Sequence, residues 1–174
     1  GSADVNVRFR LIVAPGRCYV PESFEQGGRL WGVALQLYSL RSQRNWGVGD
    51  FHDLADVVEW AGKGLGAAMI GLNPLHALKN STPYHISPYS PSSRLFLNDL
   101  YIDVESVSEY RTAPEVQERL TDPSFRARIE AVRQSDLVDY DGVASAKREI
   151  LNLCYQAFLR DNFERAEPEL KPHT

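Results

Sequence analysis

Cysteine is scarce in this 174-residue chain, with Cys18 and Cys154 the only two, and methionine occurs once. Two thiols so far apart make no disulfide framework, and neither sits in a metal-ligand spacing, so a reducing, cytoplasmic setting fits best. No apolar run approaches the roughly 20 residues of a membrane span, and the polar residues after Gly1-Ser2 are not a signal-peptide pattern. Basic clusters are missing as well: 19 Lys and Arg stand against 23 Asp and Glu for a net charge of -4. That balance lacks the electrostatic footprint of a nucleic-acid or anionic-membrane binder. The expected partner is neutral or small. There is no internal repeat, and Gly1-Ser2 in place of an initiator methionine reads as a cloning remnant, so an excised piece of a longer chain is expected.

The remaining composition is that of a globular domain, 43% hydrophobic and 24% charged, long enough to bury a sizeable core. Val5 to Val13 alternates like a strand and stops at Ala14-Pro15-Gly16, and Gly27-Gly28 marks a boundary. Trp31 to Leu40 is a second strand candidate, followed by a polar loop, Arg41 to Gly49. Asp50 is placed to cap a helix, with Asp53 in its first turn. Phe51, Leu54, Ala55, Val58, Ala61 and Leu65 recur at helical spacing and predict one buried face. Gly62, Gly64 and Gly66 close it, and a buried strand is predicted at Ala67 to Leu72. Strand, helix and strand with a short return predict a right-handed βαβ unit in a parallel sheet.

The loop from Asn73 to Asn98 organises the rest. Between Ala77 and Leu95 it holds three prolines, two tyrosines, a histidine and five serines. Loops of that length in compact domains are uncommon and usually functional or disordered, and stiff prolines beside aromatic faces favour function. A second apolar segment, Leu100 to Val104, closes it. Helices are then predicted at Pro114 to Leu120, from Asp122-Pro123 to Gln134, and from Tyr140 to Phe163 with Asp139 or Asp141 as cap. The face of the last is Val143, Ala146, Ile150, Leu153, Cys154, Ala157 and Phe158. From Glu164 the periodicity is lost.

Several separated stretches, in order, carry a resemblance: WGVALQLYSLRSQRNWGVGDFHDL, IGLNPLHAL, SPYSPSSRLFLN, LYIDV and VDYDGVASAKREIL. Together they resemble the long bacterial form of the amylomaltases, the 4-alpha-glucanotransferases (disproportionating enzymes) of glycoside hydrolase family 77, over about Val7 to Phe163. The resemblance implies an α/β fold, the opening portion of a (β/α)8 TIM barrel with a helical insertion, preceded by a remnant strand of an N-terminal β-sandwich. Residues 1–28 would end the N-terminal β region, 29–105 would be the first βαβ part of the barrel, 106–164 the helical insertion and 165–174 a flexible tail. The implied partners are α-1,4-glucans and maltooligosaccharides. The implied reaction is transfer of a glucan segment by a retaining double displacement, which needs two carboxylates about 5 Å apart and no metal or organic cofactor. The family's nucleophile and acid/base match nothing in this chain, and a barrel needs about 200 residues to close. The chain alone is therefore expected to release no glucose from maltotriose, and its open strand edges predict self-association.

What the resemblance carries over is substrate contact. Barrel active sites lie at the C-terminal ends of strands, so the loop after the second strand would face the cleft. Tyr89 matches the family's tyrosine against the sugar ring at the cleavage subsite, and Ser87 a neighbouring polar contact. Asn73, His76 and Asn98 are further candidates for sugar hydroxyls. Asp99 departs from the family, which has an apolar residue or proline there. Plainer roles compete: Ser87 as a turn former before Pro88, His76 as a structural histidine, Asp50 as a cap, His52 as a solvated side chain. Trp46 reads equally as a sugar platform or a hydrophobic anchor. Asp103 and Glu105, one residue apart on a predicted strand and so on the same side, would be a carboxylate pair but for the resemblance, which makes them structural. Two rivals remain. Gly47-x-Gly49 is a weak dinucleotide-turn signal without the third glycine. A non-catalytic glucan-binding module is the other.

Overall fold

A computed structural model describes residues 9–25, 27–80 and 85–164. The chain divides into two compact units, Gly1–Leu30 and Trp31–Thr174. In the first, Pro21 opens a single helical turn, α1 (Glu22–Glu25), whose Phe24 N–H donates to the Pro21 carbonyl at 2.9 Å. The strand expected at Val5 to Val13 is not formed by its described half. Phe9, Leu11, Ile12 and Val13 stand exposed without strand structure. Alternation sets which face is apolar, but a strand is completed only by hydrogen bonds to a neighbour, and none pairs with these residues in the described part. The rest of that expected strand, the tail 165–174 and loop residues 81–84 lie outside the described residues.

The second unit begins with β1 (Gly32–Leu35), and a 3₁₀ turn at Leu37–Ser39 takes over where the sequence suggested continued strand. Next comes α2 (Phe51–Val58), entered through a reciprocal capping box. The Asp50 side chain accepts from the His52 and Asp53 amides, and Asp53 accepts from the Asp50 amide. The helix widens into a π-type turn over Glu59–Gly64, and β2 (Met69–Leu72) then pairs parallel with β1 from Gly32↔Met69 to Leu35↔Leu72. Strand, helix and parallel strand thus follow the predicted order. Burial does not follow. Along β1 and β2 exposed residues alternate with half-buried ones, and on the helical face predicted from Phe51 to Leu65, Val58 and Leu65 are exposed while Ala61 alone is buried. A two-stranded sheet covers too little of one helix to bury a full apolar stripe.

The predicted loop 73–98 contains an irregular antiparallel pair, β3 (His76–Ala77) and β4 (Ser93–Leu97). Leu100 to Val104 is not a strand but two 3₁₀ turns, Asp99–Tyr101 and Val104–Ser106, capped by the Asn98 and Asp103 side chains. Short side-chain acceptors satisfying the next amides favour tight turns over a ladder. Four helices follow: α3 (Ser108–Thr112), α4 (Pro114–Thr121), α5 (Pro123–Gln134) and α6 (Tyr140–Leu159).

 

Pro114 and Pro123 sit at first helical positions, where a missing N–H costs nothing, and Asp139 caps α6 through the Gly142 amide at 2.9 Å.

The core lies among these helices. Trp46, Phe125, Val116, Ile150 and Cys154 form one cluster, and Val48, Leu100, Val132 and Val143 a second. The loop expected to be polar therefore buries its second half, with Asn45 to Asp50 all inside. Trp46 is an anchor: its ring meets Phe125 edge-on at 6.0 Å and its indole N–H donates to Glu105 at 3.2 Å. Phe158, predicted on the buried face of α6, is instead exposed, whereas Lys147 on that same face is 2% exposed. Its Nζ donates to the Leu100 and Ile102 carbonyls, both at 2.8 Å, and lies 3.8 Å from Asp50. Removing this ammonium would leave two carbonyls and a carboxylate without their cation. Lys147→Met is expected to lower unfolding free energy by about 3 kcal/mol in a urea titration, and a loss under about 1 kcal/mol would contradict this role.

Candidate functional site

The sequence places an Asn-Pro pair at the end of β2, and the asparagine turns inward. Asn73 Oδ1 accepts from the Leu37 amide at 2.7 Å, while Nδ2 donates to the Tyr101 hydroxyl at 3.1 Å and to the Pro74 carbonyl at 2.8 Å. This one buried side chain ties the end of β2 to the turn after β1 and to the turn that closes the loop. Burial pushes the Tyr101 phenol up, and the hydrogen bond from Asn73 works in the other direction.

Beyond Pro74 the chain enters β3 and returns along β4, with the Asn98 amide donating to the Leu75 carbonyl at 2.9 Å. Between them, Ser87-Pro88-Tyr89-Ser90 is a closed β-turn, the Ser90 amide donating to the Ser87 carbonyl at 3.1 Å. Proline is favoured at the second position of such a turn because its φ is already set. Pro88 is buried, and Tyr89, next in the turn, is 69% exposed. Pro74, His76, Pro88, Tyr89, Pro91 and Arg94 line an open cleft of about 180 Å³. It offers an aromatic ring and proline walls for C–H faces, with an imidazole and a guanidinium for hydroxyl oxygens.

Of the five sequence candidates, the structure brings His76 and Tyr89 together in this cleft. Ser87 is exposed at the head of the turn. Asn73 and Asn98 are buried beneath, their amides engaged by protein groups. Arg94 was not singled out from the sequence, since one arginine in a serine-rich stretch carries no pattern. Asn80 was missed too, and its only signal is a residue type that tolerates a left-handed backbone, here at φ 56.

The neighbouring charges have partners. Asp103 pairs with Arg44, caps the Glu105 amide at 3.2 Å and is joined by the Ser106 hydroxyl, while Glu105 lies 3.9 Å from Arg44 Nε. The two carboxylates thus share a cation at a 3₁₀ turn instead of standing on one side of a strand. His52, expected to be solvated, is half-buried with its ring 2.8 Å from Arg44. Burial pushes the Asp50 carboxyl up and the Lys147 ammonium down, and the attraction between them opposes both shifts. Gly47 has φ 88, and a Cβ there would strike the Val132 carbonyl; at Gly49 it would strike that of Leu37. These glycines serve close backbone packing, which accounts for Gly47-x-Gly49 without a dinucleotide. Among the described residues no group of three or more His, Cys, Asp or Glu side chains could hold a metal, and no helix is long and apolar enough to cross a membrane.

The two layers of the site should separate on mutation. Tyr89→Ala is expected to change unfolding free energy by less than about 0.5 kcal/mol, as for other exposed positions. Asn73→Ala, which strands the Leu37 amide, is expected to cost about 2 kcal/mol. Equal costs in thermal and urea unfolding would contradict the layering.

Comparison with known proteins bears on what this arrangement belongs to. The 4-alpha-glucanotransferase profile of glycoside hydrolase family 77 matches residues 35–173. A 4-alpha-glucanotransferase of Haemophilus influenzae is 41% identical over 153 residues, covering 88% of this chain and 22% of the relative. One from Mycobacterium tuberculosis is 36% identical over 169 residues, covering 89% of this chain and again 22% of the relative. The crystal structure of amylomaltase from Corynebacterium glutamicum superposes with a TM-score of 0.64 at 28% identity, covering 78% of this chain and 19% of that one. The chain thus spans 22% of the length of these two relatives, and its described residues mix helix and strand. On the match over residues 35–173, this chain belongs to the 4-alpha-glucanotransferase family, glycoside hydrolase family 77.

Proposed function

We propose that this chain supplies substrate contacts of a 4-alpha-glucanotransferase, an enzyme that moves α-1,4-glucan segments between maltooligosaccharides by a retaining double displacement. The observation that carries this reading is the Ser87–Ser90 turn, which presents Tyr89 at the rim of a cleft shared with His76 and Arg94. An exposed tyrosine held by proline-rich backbone suits the C–H face of a glucose ring, because little freedom is lost when sugar stacks on it. His76 and Arg94 would meet ring hydroxyls, and Ser87 would add a contact at the turn. Asn73 and Asn98 would act from beneath by holding the two ends of the segment.

In this reading β1, α2 and β2 are the opening βαβ part of a (β/α)8 barrel, and α3 to α6 are an insertion on it. The residues 1–28 would end an N-terminal β region. The parallel register of β1 and β2, and a loop-borne cleft beyond the C-terminal end of β2, support the barrel assignment. The two carboxylates that the chemistry needs are assigned outside this chain. Its own nearby candidates are engaged, Asp50 by Lys147, Asp53 by Asn45, Asp103 by Arg44 and Glu105 by Trp46. A cytoplasmic setting and self-association through exposed Met69, Leu95 and Phe96 complete the proposal.

Calorimetric titration of the chain with maltoheptaose tests it. Binding is expected, and Tyr89→Ala should weaken it about tenfold, the loss of one ring–sugar contact. Absence of binding, or an unchanged affinity in the variant, would overturn the reading.

A further inference from the structure

The segment that carries Ser87, Tyr89 and Arg94 starts at Asn80 and ends at Asn98, and those two side chains meet. Asn80 Nδ2 donates to Asn98 Oδ1 at 2.7 Å, and Asn98 Nδ2 donates to Asn80 Oδ1 at 2.8 Å. Both residues are buried, at 1% and 2% exposure. A cyclic pair of this kind is directional, since each amide must give one hydrogen bond and accept another. The backbone on either side is fixed as well. The Asn80 amide donates to the His85 carbonyl at 3.1 Å, and Asn98 Oδ1 also accepts from the Leu100 amide at 3.0 Å.

The pair is tied to the helices through the residues just beyond it. Asp99 Oδ1 lies 3.5 Å from Asn80 Nδ2 and accepts from Arg148 Nη2 at 3.1 Å, while Arg148 Nε donates to the other oxygen. Lys147, the neighbour of Arg148 on α6, holds the Leu100 and Ile102 carbonyls. Asp99 thereby links the loop to α6.

We propose that Asn80 and Asn98 are a positioning pair. Their cyclic amide contact closes the base of the substrate segment and sets how the Tyr89 turn is presented, so glucan affinity depends on two side chains that touch no sugar. This rests on the glucan reading of the His76–Tyr89 cleft. If the pair opens, the binding-competent arrangement is only partly populated, and the apparent affinity falls by that fraction.

Asn80→Asp tests the pair with almost no change in shape. At pH 7 a carboxylate offers two acceptors and no donor, so Asn98 Oδ1 loses its side-chain donor and keeps only the Leu100 amide. When protonated, the acid O–H donates to Asn98 Oδ1 and its carbonyl accepts from Asn98 Nδ2, which restores both bonds. The charged groups facing the site are Asp99, whose negative charge favours the protonated acid, and Arg148 and Lys79, which oppose it; Asp141 and Glu149 line the same groove. Two readouts are taken on the whole chain, maltoheptaose affinity by calorimetry and amide hydrogen exchange over residues 85–97, normalised to intrinsic rates at each pH. At pH 7, Asn80→Asp is expected to bind about tenfold more weakly and to exchange faster. At pH 4 both values should return to those of the unaltered chain at pH 4, whereas Asn80→Ala should recover neither. A folded Asn80→Asp that matches the unaltered chain at pH 7, or that stays as impaired as Asn80→Ala at pH 4, would overturn the positioning role. If the unaltered chain binds no maltoheptaose, the glucan reading fails, and unchanged exchange over residues 85–97 in Asn80→Asp at pH 7 would then overturn the pair as well.

Discussion

A single ammonium group, that of Lys147, stands at the junction of the elements that hold the segment proposed to meet the glucan. Taking a lysine out of water is costly, and burial pushes its protonated form toward neutrality. Two carbonyl oxygens at 2.8 Å and the Asp50 carboxylate at 3.8 Å offset that cost. Each partner belongs to a different part of the fold. The carbonyls close the loop at Leu100 and Ile102, Asp50 caps α2, and Lys147 projects from the buried face of α6. An apolar residue could fill the same volume, but it would not fix the register of these three parts, because hydrogen bonds are directional and hydrophobic contact is not.

From that junction the order extends outward. Asn73 joins the end of β2 to Leu37 and Tyr101, Asn98 caps the next turn and meets Asn80, and Asp99 reaches Arg148. All of these are short polar side chains engaged with backbone or with one another. The part left facing solvent is different in kind: a proline-set turn with one large exposed ring. A site built this way separates stability from recognition. Buried amides and Lys147 carry the first, and in the proposed reading Tyr89, His76 and Arg94 carry the second.

Local signals were legible in the sequence where the physics is local. Asp50 and Asp53 formed their capping box, Pro123 opened α5, and the SPYS stretch became a tight turn with its tyrosine outward. Signals that depend on what covers a surface were less legible. The stripe on α2 has the spacing of a buried face yet remains largely open, and Phe158 has the right period but ends up exposed. Asp103 and Glu105 read as strand neighbours because alternation cannot see that Asp103 would cap the following turn. Lys147 sits four residues after Val143, within the apolar stripe, where a lysine is normally taken to extend its charge to the surface. Only the carbonyls of a segment 45 and 47 residues away explain why it stays inside. Asn80 is hidden for the same reason, since its partner is 18 residues distant.

The most direct test of the account is where a glucan touches this chain. Backbone and side-chain NMR shifts followed during a maltoheptaose titration should move at Tyr89, His76 and Arg94, with smaller changes along the Ser87–Ser90 turn. The core around Trp46 and Phe125 should stay still. Shifts centred on another surface, or none at saturating sugar, would contradict the central claim that this turn and cleft form the glucan contact.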